Sequence, residues 1–168
     1  MIQTFAIAVK NLPPITADFA GDTLISLKLN QKTTNSVDIP PHVRKLERQL
    51  AEYAARKRKI FEIDFELRGT EFQKAVWRKL LEVKYGETVS YSGLAAAVGG
   101  AQKARAVGGA VNKNPIAIIV PCHRVVGKNG GLTGFACGLE IKKRLLSIEG
   151  ISIQRGNKIL PPAHFGKK

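Results

Sequence analysis

Cysteine is scarce in this chain of 168 residues, which contains only Cys122 and Cys137. Two cysteines without paired spacing exclude a disulfide-stapled scaffold and a zinc cage, so we expect no metal site. No apolar window approaches the ~20 residues of a membrane span, and the N-terminus lacks a signal-peptide pattern. We therefore expect a cytoplasmic protein, or a nuclear one in a eukaryote, that does not bind membranes.

Acidic residues are also few, and the charge is unevenly distributed. Residues 1–66 carry ten Lys/Arg and eight Asp/Glu, a net charge of +2, whereas residues 67–168 carry 17 and five, a net charge of +12. A basic half of this kind indicates a polyanionic partner, most often a nucleic acid. A basic surface that only confers solubility is the alternative that charge alone leaves open.

The first third of the chain has the pattern of a small α/β unit. Residues 23–29 alternate between apolar and polar side chains like a strand, and residues 63–67 do so again. Residues 42–58 carry the apolar stripe of an amphipathic helix. The Arg68-Gly69 pair is a plausible boundary, so we predict an N-terminal domain over residues 1–67.

The rest of the chain is predicted to be mostly helical. Residues 70–83 begin with the capping-box pair Thr70 and Gln73. Helices over residues 91–98 and 102–112, joined by two glycines, form a helix-turn-helix candidate. A strand over residues 116–120 and a closing helix over residues 139–148 complete a domain spanning 68–150, and residues 151–168 are predicted to be a loose basic tail. The predicted fold class is α+β.

The second helix of the pair has an unusual composition. It contains Ala104, Arg105, Ala106, Gly108 and Gly109, and each interior glycine costs ~1 kcal/mol relative to alanine. One explanation is that this helix of small side chains binds in the DNA minor groove and that Arg105 supplies the one long side chain that reaches into the DNA. Tight helix packing inside the protein explains the same residues equally well.

Cys122 stands in an unusual setting, between Pro121 and the polar pair His123-Arg124. A lone cysteine is most often a small, inert core residue. Here a neighbouring imidazole and guanidinium are expected to lower the thiol pKa from its reference value of ~8.5. We therefore expect Cys122 to be a nucleophile.

Five motifs between Arg68 and Gly150 carry a resemblance to a known family. In chain order they are RGTEFQKAVW, YGETVSY, KARAVGGAVNKNP, IIVPCHRVVG and LEIKKRLLSIEG. This half of the chain closely resembles the O6-alkylguanine-DNA alkyltransferases, while the first 66 residues match only in size and α/β pattern. The resemblance implies a ribonuclease H-like N-terminal domain followed by a mostly helical, winged helix-turn-helix C-terminal domain.

The resemblance also implies a DNA repair reaction. Cys122 would accept an alkyl group from O6 of a guanine that has been flipped out of duplex DNA by a protein bound in the minor groove. His123 would act through a water as base to the thiol, and Glu149 would orient His123. Tyr91 would rotate the target phosphate and donate toward the guanine ring, and Asn114 would tie the reading helix to the active-site strand.

The remaining expectations concern the DNA contacts and the pocket. Arg105 would fill the gap left by the flipped base, and the other expected DNA contacts are Tyr91, Ala104, Ala106, Gly108, Gly109 and Arg124. The carbonyls of Cys122 and Val125 would read the guanine amino group. The expected pocket residues are Val125, Phe135, Ala136 and Cys137. The thioether product does not revert, so each molecule acts once and needs no cofactor; we expect a monomer, with cooperative DNA binding left open.

The loop over residues 134–138 departs from the family pattern, which has an aromatic residue, then Ser or Gly, then Gly. Ala136 removes any hydroxyl donor to the base oxygen, and Phe135 keeps the apolar wall without a hydroxyl. Cys137 is either a bystander at the pocket lip or a redox partner of Cys122. His42 and His164 are expected at the surface rather than at a metal.

Three other functions compete with alkyl transfer. An alkyltransferase-like protein would flag lesions without repairing them, but that class replaces the acceptor cysteine, and Cys122 is present. A winged-helix transcription regulator would not require His123 and Glu149. A thiol hydrolase would turn over many times.

Overall fold

The computed structural model describes residues 1–31 and 38–159 and has the predicted α+β class. Its elements are β1 Ile2–Ile7, β2 Ile15–Ala20, β3 Thr23–Leu29, α1 Pro41–Ala54, α2 Glu71–Leu80, β4 Val89–Ser90, α3 Tyr91–Val98, α4 Ala104–Asn112, β5 Val125–Val126 and α5 Leu139–Ile148. Single 3₁₀ turns cover Ala101–Lys103 and Cys122–Arg124. Among the described helices, none is long and apolar enough to cross a bilayer.

The chain divides into two compact units. The first contains Met1–Arg68 and Pro115–Ala117, and the second contains Gly69–Asn114 and the described residues from Ile118 onward. The chain thus leaves the second unit after Asn114, contributes the short segment Pro115–Ala117 to the first unit, and returns to the second unit at Ile118, shortly before Cys122.

The first unit is built on a three-stranded antiparallel sheet in the order β1-β2-β3. Strand β3 was predicted, but β1 and β2 were not. Alternate side chains of a strand point to the same face, and one face of this sheet is buried. The buried side chains on its strands include Phe5, Ile15 and Phe19. Helix α1 begins at Pro41, and its His42 ring lies 4.8 Å from the Phe19 ring, measured between centroids.

Two predicted strands differ from the observed backbone. Residues 63–67 form no strand; they run beside β3 through a single parallel bridge, Phe65 to Leu24. Residues 116–120 also form no continuous strand; they make isolated bridges, among them a parallel bridge from Ile116 to Leu27. At Ile118 the backbone turns to a φ of +71°, a left-handed conformation that a β-branched residue rarely adopts and that ends any strand.

The second unit is helical, and its helix starts follow local hydrogen bonds. The predicted capping box is confirmed, because Gln73 N donates to Thr70 Oγ1 at 3.2 Å and Thr70 N donates to Gln73 Oε1 at 3.0 Å. Trp77 on α2 donates to Ala110 O of α4 at 2.8 Å. Strand β4 pairs in parallel with β5, joining the start of α3 to the segment after Cys122. The predicted helix over residues 102–112 is divided into a 3₁₀ turn and α4.

The segment after α5 is not a loose tail over its described part. Ile151, Ile153 and Ile159 pack in a cluster with Val126 and Leu146. The predicted tail boundary at residue 151 is therefore wrong for residues 151–159, because alternating isoleucines there complete the core of the second unit. The remainder of that prediction, residues 160–168 including His164, lies outside the described residues.

Candidate active site

A tight turn, rather than the end of a strand, presents Cys122. Pro121 has φ −83° and ψ 63°, and Cys122 N donates to Val120 O at 2.8 Å, which closes a three-residue turn. Asn114 Nδ2 donates to the same Val120 carbonyl at 2.8 Å. The Asn114 side chain therefore connects the residue that follows α4 to the backbone that leads to Cys122.

The Cys122 thiol is buried and keeps its proton in the isolated protein. Only 7% of the surface of Cys122 is exposed to solvent. Burial raises the thiol pKa to about 11, although a hydrogen bond with Asn114 opposes the shift. The prediction that His123 and Arg124 lower this pKa is wrong, because both side chains are directed at Glu149. A thiol in this state needs a base at the moment it reacts.

His123, Arg124 and Glu149 form a buried hydrogen-bonded cluster. His123 Nε2 lies 2.6 Å from Glu149 Oε1. Arg124 donates from Nε to Glu149 Oε2 at 2.9 Å and from Nη2 to Oε1 at 3.0 Å, and Gly86 N donates to Oε2 at 3.2 Å. The two-point contact of a guanidinium with a carboxylate holds the planar groups in register. The contacts with Arg124 thereby fix the orientation of the Glu149 carboxylate, which in turn contacts the His123 imidazole.

The charges of this cluster decide which imidazole nitrogen is the base. Burial alone would raise the pKa of Glu149, but His123 and Arg124 outweigh it and hold that pKa well below its usual range. Burial lowers the pKa of His123, although Glu149 opposes the shift. A neutral His123 beside a carboxylate donates from Nε2–H, which makes Nδ1 the basic nitrogen.

The position of Arg124 disagrees with its predicted role as a DNA contact. Its side chain is 9% exposed, and its third nitrogen, Nη1, donates to Val83 O. Because the guanidinium is already engaged inside the second unit, Arg124 orients Glu149 instead of reaching a phosphate.

A buried lysine that the sequence analysis did not single out also belongs to the site. Lys142 of α5 donates from Nζ to Val125 O at 2.5 Å and to Thr133 O at 3.1 Å, and it lies 5.8 Å from the Phe135 ring centroid. Burial lowers the Lys142 pKa to about 8, with Cys122 opposing. Its signal in the sequence was helical spacing, since it precedes the buried Leu145 and Leu146 by three and four residues.

Tyr91 begins α3 and contacts the loop after Leu132. Its hydroxyl donates to Thr133 O at 3.3 Å and to Gly134 O at 3.2 Å. Burial, and then the proximity of a Cys122 anion, raise the Tyr91 pKa, so the phenol keeps its proton. On this loop Phe135 and Cys137 are half-buried and Ala136 is exposed, while Val125 is buried.

The predicted DNA contacts on α4 share one face, which we call the α4 solvent face. Arg105, Ala106 and Gly109 are exposed, and Ala104 and Gly108 are half-buried. A Cβ added at Gly109 would meet no heavy atom within 4 Å, and one added at Gly108 would meet only the Tyr91 ring at 3.8 Å. Internal helix packing therefore does not require these glycines.

Among residues 1–31 and 38–159, no three His, Cys, Asp or Glu side chains come together in a group that could hold a metal ion. The described site instead combines one thiol, one neutral imidazole, one ionised carboxylate and two buried cations. This set is suited to moving a proton and presenting a sulfur nucleophile.

Comparison with known proteins identifies the family. The model for the 6-O-methylguanine DNA methyltransferase DNA-binding domain matches residues 71–151. A methylated-DNA–protein-cysteine methyltransferase of Methanosarcina acetivorans is 54% identical over 107 residues, covering 64% of this chain and 69% of the relative. The crystal structure of Mycobacterium tuberculosis O6-methylguanine methyltransferase matches with a TM-score of 0.79 and 39% identity, covering 89% of this chain and 93% of that chain. The M. tuberculosis OGT protein in complex with DNA matches with a TM-score of 0.78 and 40% identity, covering 87% and 91%. This chain belongs to the methylated-DNA–protein-cysteine methyltransferase family.

Proposed function

We propose that this protein repairs duplex DNA by transferring a methyl or other alkyl group from O6 of guanine to Sγ of Cys122, once per molecule. The observation that carries the proposal is the buried Cys122 next to His123, whose Nε2 is held 2.6 Å from the Glu149 carboxylate. This arrangement supplies a nucleophile, a base and an orienting group in one chain of contacts.

The reaction requires two proton movements around one displacement. Through a bridging water, His123 Nδ1 takes the proton of the Cys122 thiol, and Glu149 stabilises the imidazolium that forms. The thiolate sulfur then bonds to the alkyl carbon as the bond from that carbon to O6 breaks. Negative charge developing on the guanine is met by a hydrogen bond from the Tyr91 phenol, whose raised pKa keeps it protonated. The displaced guanine then takes up one proton on a ring nitrogen from water, and the His123 imidazolium returns the thiol proton to water, so the proton lost by the thiol balances the one gained by guanine. The thioether product has no acidic proton, so Cys122 is not regenerated.

The buried position of the Cys122 thiol supports base flipping. Cys122 is 7% exposed, and a base inside a duplex cannot reach a buried sulfur. We propose that the α4 solvent face enters the minor groove and that Arg105 fills the space left by the extruded guanine. Support comes from the exposure of Arg105 and from the open space around Gly109, which internal packing does not explain.

The finer fold assignment is also a proposal. A ribonuclease H-like first unit is supported by the antiparallel β1-β2-β3 sheet followed by α1 and by a parallel bridge to β3. A winged helix-turn-helix in the second unit is supported by the pair α3 and α4, with Gly99 and Gly100 at positive φ between them.

Replacing Gly109 with alanine is expected to shift stability and DNA affinity in opposite directions. The new methyl group meets open space, so helix propensity should raise the unfolding free energy by about 0.5–1 kcal/mol. The same methyl group would separate α4 from the groove and weaken binding to a methylated duplex by about fivefold or more, on the order of 1 kcal/mol. Urea denaturation and fluorescence anisotropy measure the two effects. Unchanged affinity in the Gly109 variant would count against the minor-groove proposal.

The proposed function is tested by intact mass spectrometry after incubation with a duplex that contains one O6-methylguanine. We expect the protein to gain the mass of one methyl group, located on the peptide containing Cys122, and to stop at one per molecule. Tight binding to the lesion without a mass gain would contradict alkyl transfer and favour a lesion-flagging function. Repeated turnover would favour a hydrolase.

A further inference from the structure

The second cysteine lies on a loop that is anchored next to the first. We call residues 133–138 the pocket loop. Lys142 Nζ bonds to the carbonyl of Thr133 on this loop and also to the carbonyl of Val125. Val125 follows the 3₁₀ turn that begins at Cys122, and three residues of such a helix advance only about 6 Å. One ammonium group therefore fastens the pocket loop to the short segment that carries the acceptor thiol.

Within this loop, Cys137 occupies a corner of a tight turn. Gly138 N donates to Phe135 O at 2.9 Å, which leaves Ala136 and Cys137 as the two central residues. Gly134 and Gly138 flank the turn at φ +56° and +94°, where glycine has wide conformational freedom. Charge on the Cys137 sulfur raises the pKa of Cys122, so the two sulfur atoms are near enough to interact electrostatically.

The two thiols differ in their access to solvent. Cys137 is half-buried on the pocket loop, whereas Cys122 is 7% exposed. A water-borne oxidant therefore meets Cys137 first. Sulfenic acid formed at an accessible cysteine is commonly captured by a second thiol nearby.

We propose that Cys137 is an oxidation site which, with a peroxide as oxidant, closes a reversible disulfide with Cys122. The Cys137 sulfur attacks one peroxide oxygen, the O–O bond breaks, and sulfenic acid and water form. The Cys122 sulfur then bonds to the Cys137 sulfur and displaces the hydroxyl as a second water, with His123 accepting the Cys122 proton and passing it to the leaving oxygen. In total, two thiols and one hydrogen peroxide give one disulfide and two waters.

The consequence for repair rests on the proposed function. The disulfide occupies the acceptor sulfur, so the oxidised protein cannot take an alkyl group until a thiol reductant restores it. It also shields Cys122 from the higher sulfur oxides, which are not reversed by thiols. Oxidation would then inactivate the protein reversibly, whereas alkylation inactivates it permanently.

The experiment exposes the full chain to hydrogen peroxide and maps the unreduced peptides by mass spectrometry. We expect a monomer lighter by two hydrogens, with the Cys122 and Cys137 peptides joined, and a loss of methyl transfer of at least about tenfold that dithiothreitol reverses. Cys137→Ser should give no such crosslink, and peroxide should cause no loss of methyl transfer that dithiothreitol reverses. Each protein is compared with its own reduced form, because Cys137 lies on the pocket loop and its replacement can alter the basal rate.

Two results would overturn the proposal. The first is peroxide-treated wild type without the joined peptides, because a disulfide requires Cα atoms within about 7 Å and its absence would show that the loop does not reach. The second is a reversible loss of transfer in Cys137→Ser equal to that in wild type, which would place the oxidation elsewhere. Peptide mapping does not depend on transfer, and transfer by the reduced protein does not depend on the disulfide, so failure of either proposal is recognised separately.

Discussion

Cys122→Ser is expected to eliminate methyl transfer while leaving DNA binding intact. A serine hydroxyl fits the buried turn, but oxygen holds its proton far more tightly than sulfur and is a poor nucleophile for an alkyl carbon. The variant should show no mass gain after prolonged incubation with an O6-methylguanine duplex. Its Kd for the duplex should stay within about fivefold of wild type, which corresponds to about 1 kcal/mol.

The comparison with Cys137→Ser separates acceptor chemistry from general loss of a thiol. That variant keeps Cys122 and should still gain one methyl group, at whatever rate its altered pocket allows. Equal loss of binding and transfer in Cys122→Ser, accompanied by a lower unfolding free energy, would show that Cys122 supports the turn at Pro121 rather than the reaction. A methyl group found on Cys122→Ser would contradict the assignment of the acceptor.

Arg124→Met is expected to destabilise the protein by about 3–5 kcal/mol, because it leaves the Glu149 carboxylate buried without its guanidinium partner. Methionine matches the length of the arginine stem but supplies none of the contacts to Glu149 and Val83. Urea denaturation followed by circular dichroism measures the change. The matched control is Arg68→Met, which removes an exposed pair with Glu66 at 2.8 Å and should change stability by about 1 kcal/mol or less.

The pH dependence of stability provides a second readout for the same variant. The pKa of Glu149 is depressed from 4.5 in the folded wild type, so its stabilising contribution is present above the unfolded value and is lost as the pH falls through the folded one. Arg124→Met should therefore flatten the acid side of the stability profile below about pH 5. A variant within 1 kcal/mol of wild type, with an unchanged acid profile, would contradict the role assigned to Arg124 in holding Glu149.

Local patterns predicted the helices well because helix ends depend on neighbouring residues. The predicted Thr70 capping box forms, and α5 spans the predicted residues. Strand β2 alternates between buried and half-buried residues along its whole length, so its period-two pattern was present in the sequence and was overlooked. Strand β1 offers a weaker pattern, because its first three residues are all exposed. The two-residue Gly21-Asp22 turn between β2 and β3 was a hairpin signal that the sequence did offer.

The sequence by itself determined the α+β class and the helix pair and singled out Cys122 as the proposed acceptor, because ordered motifs and helical periodicity are local properties. Tertiary structure decided the chemical state of the site. Burial raised the Cys122 pKa, where its neighbours in the chain had suggested the opposite. Folding also turned Arg124 inward to Glu149, 25 residues away, and brought the unnoticed Lys142 to the carbonyl of Val125. A pKa depends on desolvation and on charges in space, and chain neighbours set neither until the fold has chosen which way each side chain points.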